Sequence, residues 1–499
     1  MPQSPPWIQG LTFPQVLART AERFPSHDAV VFPQLGLRWS WSEFADQVAR
    51  TARAFAALGV GKGDHVGIWA TNWPEWILAQ FATGAIGAVL VNVNPAYRKH
   101  EIAYILKQAD IQVLIITDSH KTSDYEAMTA EVVPELRSID PGSILVSCEF
   151  PALRHVVSIK ARTSVPGIFA WPAFLERGNA VARNAIAEMA YAVNPNDPVN
   201  IQYTSGTTGA PKGAMLSHRN LLTNAFYAGQ RQNFTENDRL CIPVPFYHCF
   251  GCVMGTLCCA VYGAAMVVPA ESFEPEATLK AVEAEKCTAL YGVPTMFNAQ
   301  VNHPSFKQYR LGSLRTGIMA GSPCPVELMK RVIDEMNLTE MTIAFGQTEA
   351  SPVITQSRTT DSLETRVSTV GSALPGVEVR IVDPDTRTDA PPGQQGELWA
   401  RGENVMLGYY NMPEATAAAI DRDGWLHTGD LATEVPGGNY KITGRIKDMI
   451  IRGGENVYPR EIEEFLLTHS MIQDVQVVGL PDERLGEQVS AWIVPKPSV

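Results

Sequence analysis

Cysteine is scarce, basic charge is outnumbered, and neither an internal repeat nor a low-complexity tract runs through the 499 residues. Eight cysteines are too few to staple a chain of this length, which fits a reducing compartment. Cys249 and Cys252 have C-x-x-C spacing, but a zinc ribbon wants its second pair about 15 to 20 residues further on. Cys258 and Cys259 follow almost immediately, so these four and Cys241 are expected to be core thiols. Lys and Arg number 40 against 52 Asp and Glu, a formal net charge of −12. That balance excludes the basic face on which nucleic-acid binding depends, so any anionic ligand must be held by local donors. The first residues, MPQSPPW, lack a basic segment and an apolar one; no secretory signal is expected, and the expected location is cytoplasmic.

Acidic and basic residues are wholly missing between Leu240 and Ala270, a run long enough to cross a bilayer. Pro243, Pro245, Gly251, Gly255, Gly263 and Pro269 punctuate it. A buried loop, a helix of about three turns and a short core strand are expected instead of a transmembrane segment.

The composition is otherwise that of an ordinary globular protein, 45% hydrophobic with 38 Gly and 35 Pro. The length suggests about three packing units. His65 to Ala70 predicts a buried strand, Pro74 to Gly87 a helix opened by proline, and Ala88 to Asn92 a second strand. His100 to Ala109 predicts an amphipathic helix and Gln112 to Thr117 a third strand, an alternation that implies parallel βαβ units. After about residue 370, Gly- and Pro-rich segments such as Asp383 to Gly396 predict antiparallel hairpins.

The most informative segment is Tyr203 to His218, YTSGTTGAPKGAMLSH, set between a short apolar run and a helix that Ser217 is placed to cap. Small hydroxyl and glycine residues let backbone N–H groups converge on phosphate oxygens while Lys212 adds a point charge. It is not a Walker A loop, because Gly213 follows Lys212.

TSGTTGAPKG resembles the phosphate loop of the adenylate-forming superfamily of acyl-CoA synthetases, peptide-synthetase adenylation domains and beetle luciferases. Further blocks follow in that family's order: PFYHCFG (Pro245 to Gly251), AGSP (Ala320 to Pro323), FGQTE (Phe345 to Glu349), GWLHTGD (Gly424 to Asp430) and GRIKDMIIRGGENVYPREIE (Gly444 to Glu463). The resemblance implies an α/β fold: a large N-terminal domain, 1–446, of layered βαβ sheets plus a β-barrel-like part, and a small mobile α+β C-terminal domain beginning at 447. It implies that Thr204, Ser205, Gly206, Thr207, Thr208, Gly209 and Lys212 hold the ATP phosphates, that Thr348 meets the α-phosphate and that Glu349 ligates Mg²⁺. Gly321, Ser322 and Pro323, with Phe345, Gly346, Gln347 and Ile442, are implied around the nucleotide, and Asp430 with Arg445 on its ribose. Thr204, Lys212, His248 and Glu349 are the implied catalytic set.

Peptide-synthetase adenylation domains place an Asp in the block that here reads Phe246, Tyr247, His248, which argues against an amino-acid substrate. His248, Phe250, Gly251, Val253, Met254, Gly292, Val293 and Gly321 are expected to line an apolar acyl site. FYHCFG, KDMIIRGGEN and VMLGYY are similar to the medium-chain fatty acyl-CoA synthetases. Lys447 stands at the implied hinge, and Gly453 and Gly454 begin the implied coenzyme A channel. Pro459 to Thr468 predicts a helix with Ile462, Phe465 and Leu466 on one face, and Asp474 to Val478 a strand. A lysine-bearing PK-x-x-x-GK-type block, implied near the end of the C-terminal domain, is not reached before Val499, so a truncated chain is expected.

The expected function is ATP-dependent activation of a fatty acid to acyl-AMP followed by thioester formation with coenzyme A. Two alternatives stay open: a module that binds ATP and fatty acid with little turnover, and acyl transfer to the phosphopantetheine of a carrier protein. The expected partners are these small molecules, with a homodimer possible.

Overall fold

The computed structural model describes residues 6–160, 164–204, 211–452, 455–467, 469, 471–482 and 484–496. Two large sheets carry the fold. The first runs in the order 372–373, 353–356, 340–346, 316–320, 289–292, 239–241, 265–267, 28–32 and 37–40. Its neighbours from 340–346 through 28–32 are parallel. The second runs 408–409, 212–217, 198–204, 89–92, 65–69, 111–116, 155–158 and 168–170, parallel from 198–204 onward.

The period of two along each strand divides its apolar residues between two packed layers. Val113 and Ile115 join the central core while Leu114 and Ile116 face the outer helices; Val30, Leu240, Tyr291 and Ile318 face the centre while Val31, Cys241, Leu290 and Met319 face outward. The centre is therefore shared by both sheets and filled by the helices Phe13–Arg23, Trp41–Ala57, Pro74–Ile86 and His218–Arg231. Burial on both faces explains why strands such as HVGIW are uninterrupted apolar runs. Pro74 opens its helix and Gly87, at φ 73°, closes it, as the sequence predicts.

Most of the charge-free run 240–270 also lies in this shared centre, with Cys241 and Val267 on the outer face. It forms the strand Arg239–Cys241, a π-helix Phe250–Leu257, a short α-helix Cys258–Tyr262 and the strand Ala265–Val267. Its backbone is tied down by buried amides. Asn72 donates to Val244 O at 3.0 Å and accepts from Phe246 N at 2.8 Å, and Gln80 donates to Cys252 O at 2.8 Å. Asn92 donates to Tyr247 O at 3.0 Å, and Asn200 donates to Asn92 at 2.9 Å. Gln202 continues the row, donating to Asn200 at 2.7 Å. No helix among the described residues is long and apolar enough to cross a membrane.

The antiparallel material after 370 forms a sheet of Val377–Val382, Gln395–Gly402, Leu426–Val435 and Asn439–Arg445 in that order. This is the part expected to be barrel-like; among the described residues its strands pair in a linear order that does not close. A last sheet, 455–457, 450–452, 486–495 and 472–482, packs the helix Pro459–Leu467. Ile462 and Leu466 join its small core, whereas Phe465 is 74% exposed, so the predicted apolar face is narrower than the sequence suggested.

His218–Arg231 is capped by Ser217, whose side chain accepts from Asn220 N. From this helix Asn224, 1% exposed, accepts from Val353 N at 3.0 Å and donates to Val353 O at 2.7 Å. Asn224→Ala leaves that buried N–H without an acceptor and is expected to lower unfolding free energy by about 1–3 kcal/mol, measured by urea denaturation. An unchanged midpoint would show that the contact carries no stability.

Candidate active site

The site residues gather where parallel strands end, the edge at which open α/β sheets bind ligands. In the first sheet Gly292 pairs with Met319 and Ala320 with Ala344. Val293, Gly321 and Phe345 thus leave neighbouring strand ends together. In the second sheet Thr204 ends its strand and pairs with Lys212 on the antiparallel neighbour. Ser205, Gly206, Thr207, Thr208 and Gly209 lie outside the described residues, as do Gly453 and Gly454.

Glu349 joins the two edges. Its Oε1 accepts from Tyr409 Oη at 2.7 Å and from Thr204 Oγ1 at 3.4 Å. The Lys212 ammonium sits 5.2 Å from the Tyr409 ring centroid. Burial, followed by the charge of Glu349, raises the Tyr409 phenol well above its ordinary pKa, which keeps it a hydrogen-bond donor. Tyr409 carries no role in the sequence reading although VMLGYY contains it; its short strand pairs with 212–217, a contact far apart in sequence.

The FGQTE loop is held from behind. Asn404 donates to Ala350 O and to Val353 O at 3.2 Å each. Asn220 donates to Glu403 O at 2.7 Å and to Val405 O at 3.0 Å. A Cβ at Gly346 would stand 1.9 Å from Pro352 O, so only glycine fits this turn. No sequence signal marks Asn224 or Asn404, because a buried amide is recognisable only by what it faces.

On the acyl side Cys249 Sγ lies 3.9 Å from Thr348 Oγ1 and 3.6 Å from His248 Nδ1, and Phe250 N donates to the same ring nitrogen at 3.1 Å. His248 retains exposed surface, yet the protein around it removes enough hydration to lower its pKa, so the ring is a neutral acceptor. A Cβ on Gly251 would stand 2.2 Å from Pro245 O. Phe250 stacks on Tyr291 with centroids 5.5 Å apart, while Val253 and Met254 are packed in the central core. Of the expected acyl-site residues, His248, Val293 and Gly321 present surface, whereas Phe250, Gly251, Val253, Met254 and Gly292 are buried.

Asp430, 4% exposed, accepts from Arg445 Nε at 2.8 Å across paired strands. Burial raises its pKa and Arg445 pulls it back toward the ionised form. Ile442 and Phe345 pack in one apolar cluster beside it, and Ser322 and Pro323 are exposed. Lys447 lies in the turn 446–448 that leads into the last sheet.

The cysteines are buried thiols, apart from exposed Cys148 and half-buried Cys324, and among the described residues no group of three His, Cys, Asp or Glu can hold a metal. Burial pushes Cys249, Cys258 and Cys324 up to about 12. Titration of the native protein with dithiobis(nitrobenzoate) is therefore expected to show one fast thiol that Cys148→Ser removes. Several fast thiols would mean that the central core opens.

The family described as AMP-binding enzyme matches residues 17–410, and the AMP-binding enzyme C-terminal domain matches residues 461–499. The chain is 50% identical over 482 residues to "Putative acyl-CoA synthetase YngI" of Bacillus subtilis (strain 168), an alignment covering 97% of this chain and 87% of that one. It is 42% identical over 488 residues to "Medium-chain acyl-CoA ligase ACSF2, mitochondrial" of Danio rerio, covering 97% and 80%. The fold aligns with ATP-bound MatB from Rhodopseudomonas palustris at a TM-score of 0.81 and 28% identity, over 97% of this chain and 89% of that one. With the matched region spanning most of its length and the strand-end site described above, the chain belongs to the AMP-binding enzyme family.

Proposed function

We propose that this AMP-forming acid–CoA ligase activates a medium-chain fatty acid, forming acyl-AMP and then acyl-CoA. The observation that carries the reading is the meeting of Thr204, Glu349 and Tyr409, which gathers hydroxyls and a carboxylate at the joined strand ends, with Lys212 against the Tyr409 ring. The identities with acyl-CoA ligases over 97% of the chain support it.

In the first step a carboxylate oxygen attacks the α-phosphorus of ATP and pyrophosphate leaves; in the second the coenzyme A thiol attacks the acyl carbonyl and AMP leaves. Phosphoryl transfer of this kind depends mainly on positioning and charge neutralisation. Lys212 and Thr204 serve the phosphates, Thr348 the α-phosphate, and Asp430 accepts from the ribose hydroxyls while Arg445 keeps it ionised. Glu349 offers a hard oxygen beside the Thr204 hydroxyl, a donor set that suits Mg²⁺, which takes one or two carboxylates and completes its shell with phosphate oxygens and water. When bound, the ion would neutralise phosphate charge. His248, neutral and at the mouth of the apolar residues, lies where the acyl carboxylate enters. Lys447 serves as the pivot between the two steps, at the boundary between domains 1–446 and 447–499. A full set of free thiols supports a reducing, cytoplasmic location.

Glu349→Gln is expected to cut ATP–pyrophosphate exchange by roughly two orders of magnitude, the usual loss for one preorganised group at a transferring phosphoryl. An unchanged exchange rate would refute the assignment. Among acids, octanoate is expected to outcompete acetate, each buried methylene adding up to about 0.8 kcal/mol until the site is filled. Preference for acetate, a benzoate or an amino acid in the same exchange assay would overturn the substrate class. Equal thiol-dependent AMP release with a carrier protein's phosphopantetheine would move the acceptor away from free coenzyme A.

A further inference from the structure

On the far side of strand Val353–Gln356 from Glu349, the chain turns through Ser357, Arg358, Thr359 and Thr360 and faces the last turn of helix His218–Arg231. An open pocket of about 290 Å³ lies between them, lined by Gln230, Arg231, Asn233, Arg358, Thr359 and Thr360, with Pro375 beside them. Its polar lining is built rather than loose. Arg231 donates through Nη2 to Ala373 O at 2.7 Å and to Ser372 Oγ at 3.3 Å, which fixes the guanidinium, while Asn233 donates to Thr359 Oγ1 at 3.0 Å.

The charge in this corner does not balance. Among the described residues neither Arg231 nor Arg358 forms an ion pair with a carboxylate. Asp361 is the acid whose field reaches Arg231, but its Oδ2 is engaged by the backbone N–H of Arg358 at 2.7 Å, and the same field serves Arg366. The Nε of Arg231 is buried without an acceptor. Burial, and next the charge of Arg358, lowers the Arg231 pKa to about 10, the sign of a cation short of counter-charge. The helix C-terminus accounts for one cation there, since the helix dipole favours it. It does not account for a second on the opposite wall, with two threonine hydroxyls beside it.

We propose that Arg231 and Arg358, with Thr359 and Thr360, form a binding site for a phosphate-type oxyanion, separate from the strand-end site. A tetrahedral dianion supplies the missing counter-charge, accepts from both guanidiniums and both hydroxyls, and fits the pocket. The occupant is free phosphate or the phosphate of a small ester. Because Arg358 and Glu349 flank one short strand, occupancy ties the two ends of that strand into one charged framework.

The test is calorimetric titration of inorganic phosphate, and separately of methyl phosphate, into the wild-type chain and into Arg358→Ala, with and without saturating ATP, against sodium chloride at matched ionic strength. Among the described residues the Arg358 side chain makes no hydrogen bond, so Arg358→Ala is expected to keep the wild-type melting temperature and basal acyl-CoA formation. Phosphate is expected to bind the wild type whether or not ATP is present, and about tenfold more weakly to Arg358→Ala, the usual loss for one charge-assisted contact. Arg358→Lys is expected to recover part of the affinity. Tighter binding of phosphate than of methyl phosphate identifies the free ion, and the reverse order an ester; either supports the site. No binding, equal affinity in Arg358→Ala, competition by ATP, or an equal response to chloride would overturn it.

Discussion

A carboxylate only 9% exposed must be supplied with hydrogen bonds, and Glu349 draws its donors from parts of the chain more than fifty residues away in either direction, Tyr409 and Thr204. Both bonds end on one oxygen. The strand ends of the two sheets, and the loop 349–353 with its asparagine clamps, are therefore positioned around one charge. Without the Tyr409 and Thr204 hydroxyls that charge would be stranded in a poorly hydrated place, and the loop that carries it would have reason to move outward.

The helix His218–Arg231 extends this constraint through the molecule. Asn220 grips the backbone at 403 and 405, Asn224 grips Val353, and Arg231 grips Ala373. Three positions along one helix thus hold the antiparallel region, the FGQTE loop and the edge of the first sheet. The antiparallel sheet brings Asp430 and Arg445 with it, so the acid and base expected at the ribose are fixed by the same scaffold that fixes Glu349.

Much of this architecture was legible from apolar period and breakers alone. HVGIW, AVLVN and QVLIIT read as buried parallel strands because a sheet covered on both faces needs no polar alternation, and the Pro74 helix announced both its ends. The block order pointed to Thr204, Glu349 and Asp430, and the structure brings Thr204 and Glu349 into contact. Tyr409 was missed because its partner is distant in sequence, and Asn224 and Asn404 because nothing in a lone asparagine tells which backbone it will satisfy. The helix expected in the charge-free run is present, but wound as a π-helix over Phe250–Leu257; the glycines that interrupt the apolar pattern permit the wider turn without predicting it. The face drawn through Phe465 was too broad, since three apolar residues at helical spacing do not state how many are covered.

The amide row Asn92, Asn200 and Gln202 has a consequence for how this chain can change over time. Asn200 and Gln202 stand two residues apart, and Asn200 and Leu90, Gln202 and Asn92 are paired across parallel strands, so the row is commensurate with the sheet. Side-chain volume in the outer layers can drift, because apolar contacts tolerate exchange when the total is kept. Strand length here cannot. One residue gained or lost before Gln202 in its strand would turn Asn200 and Gln202 away from the centre and put apolar side chains where Asn92 Oδ1 needs its donor. The central run should therefore accumulate substitutions and reject insertions, leaving growth and trimming to the loops at the rim.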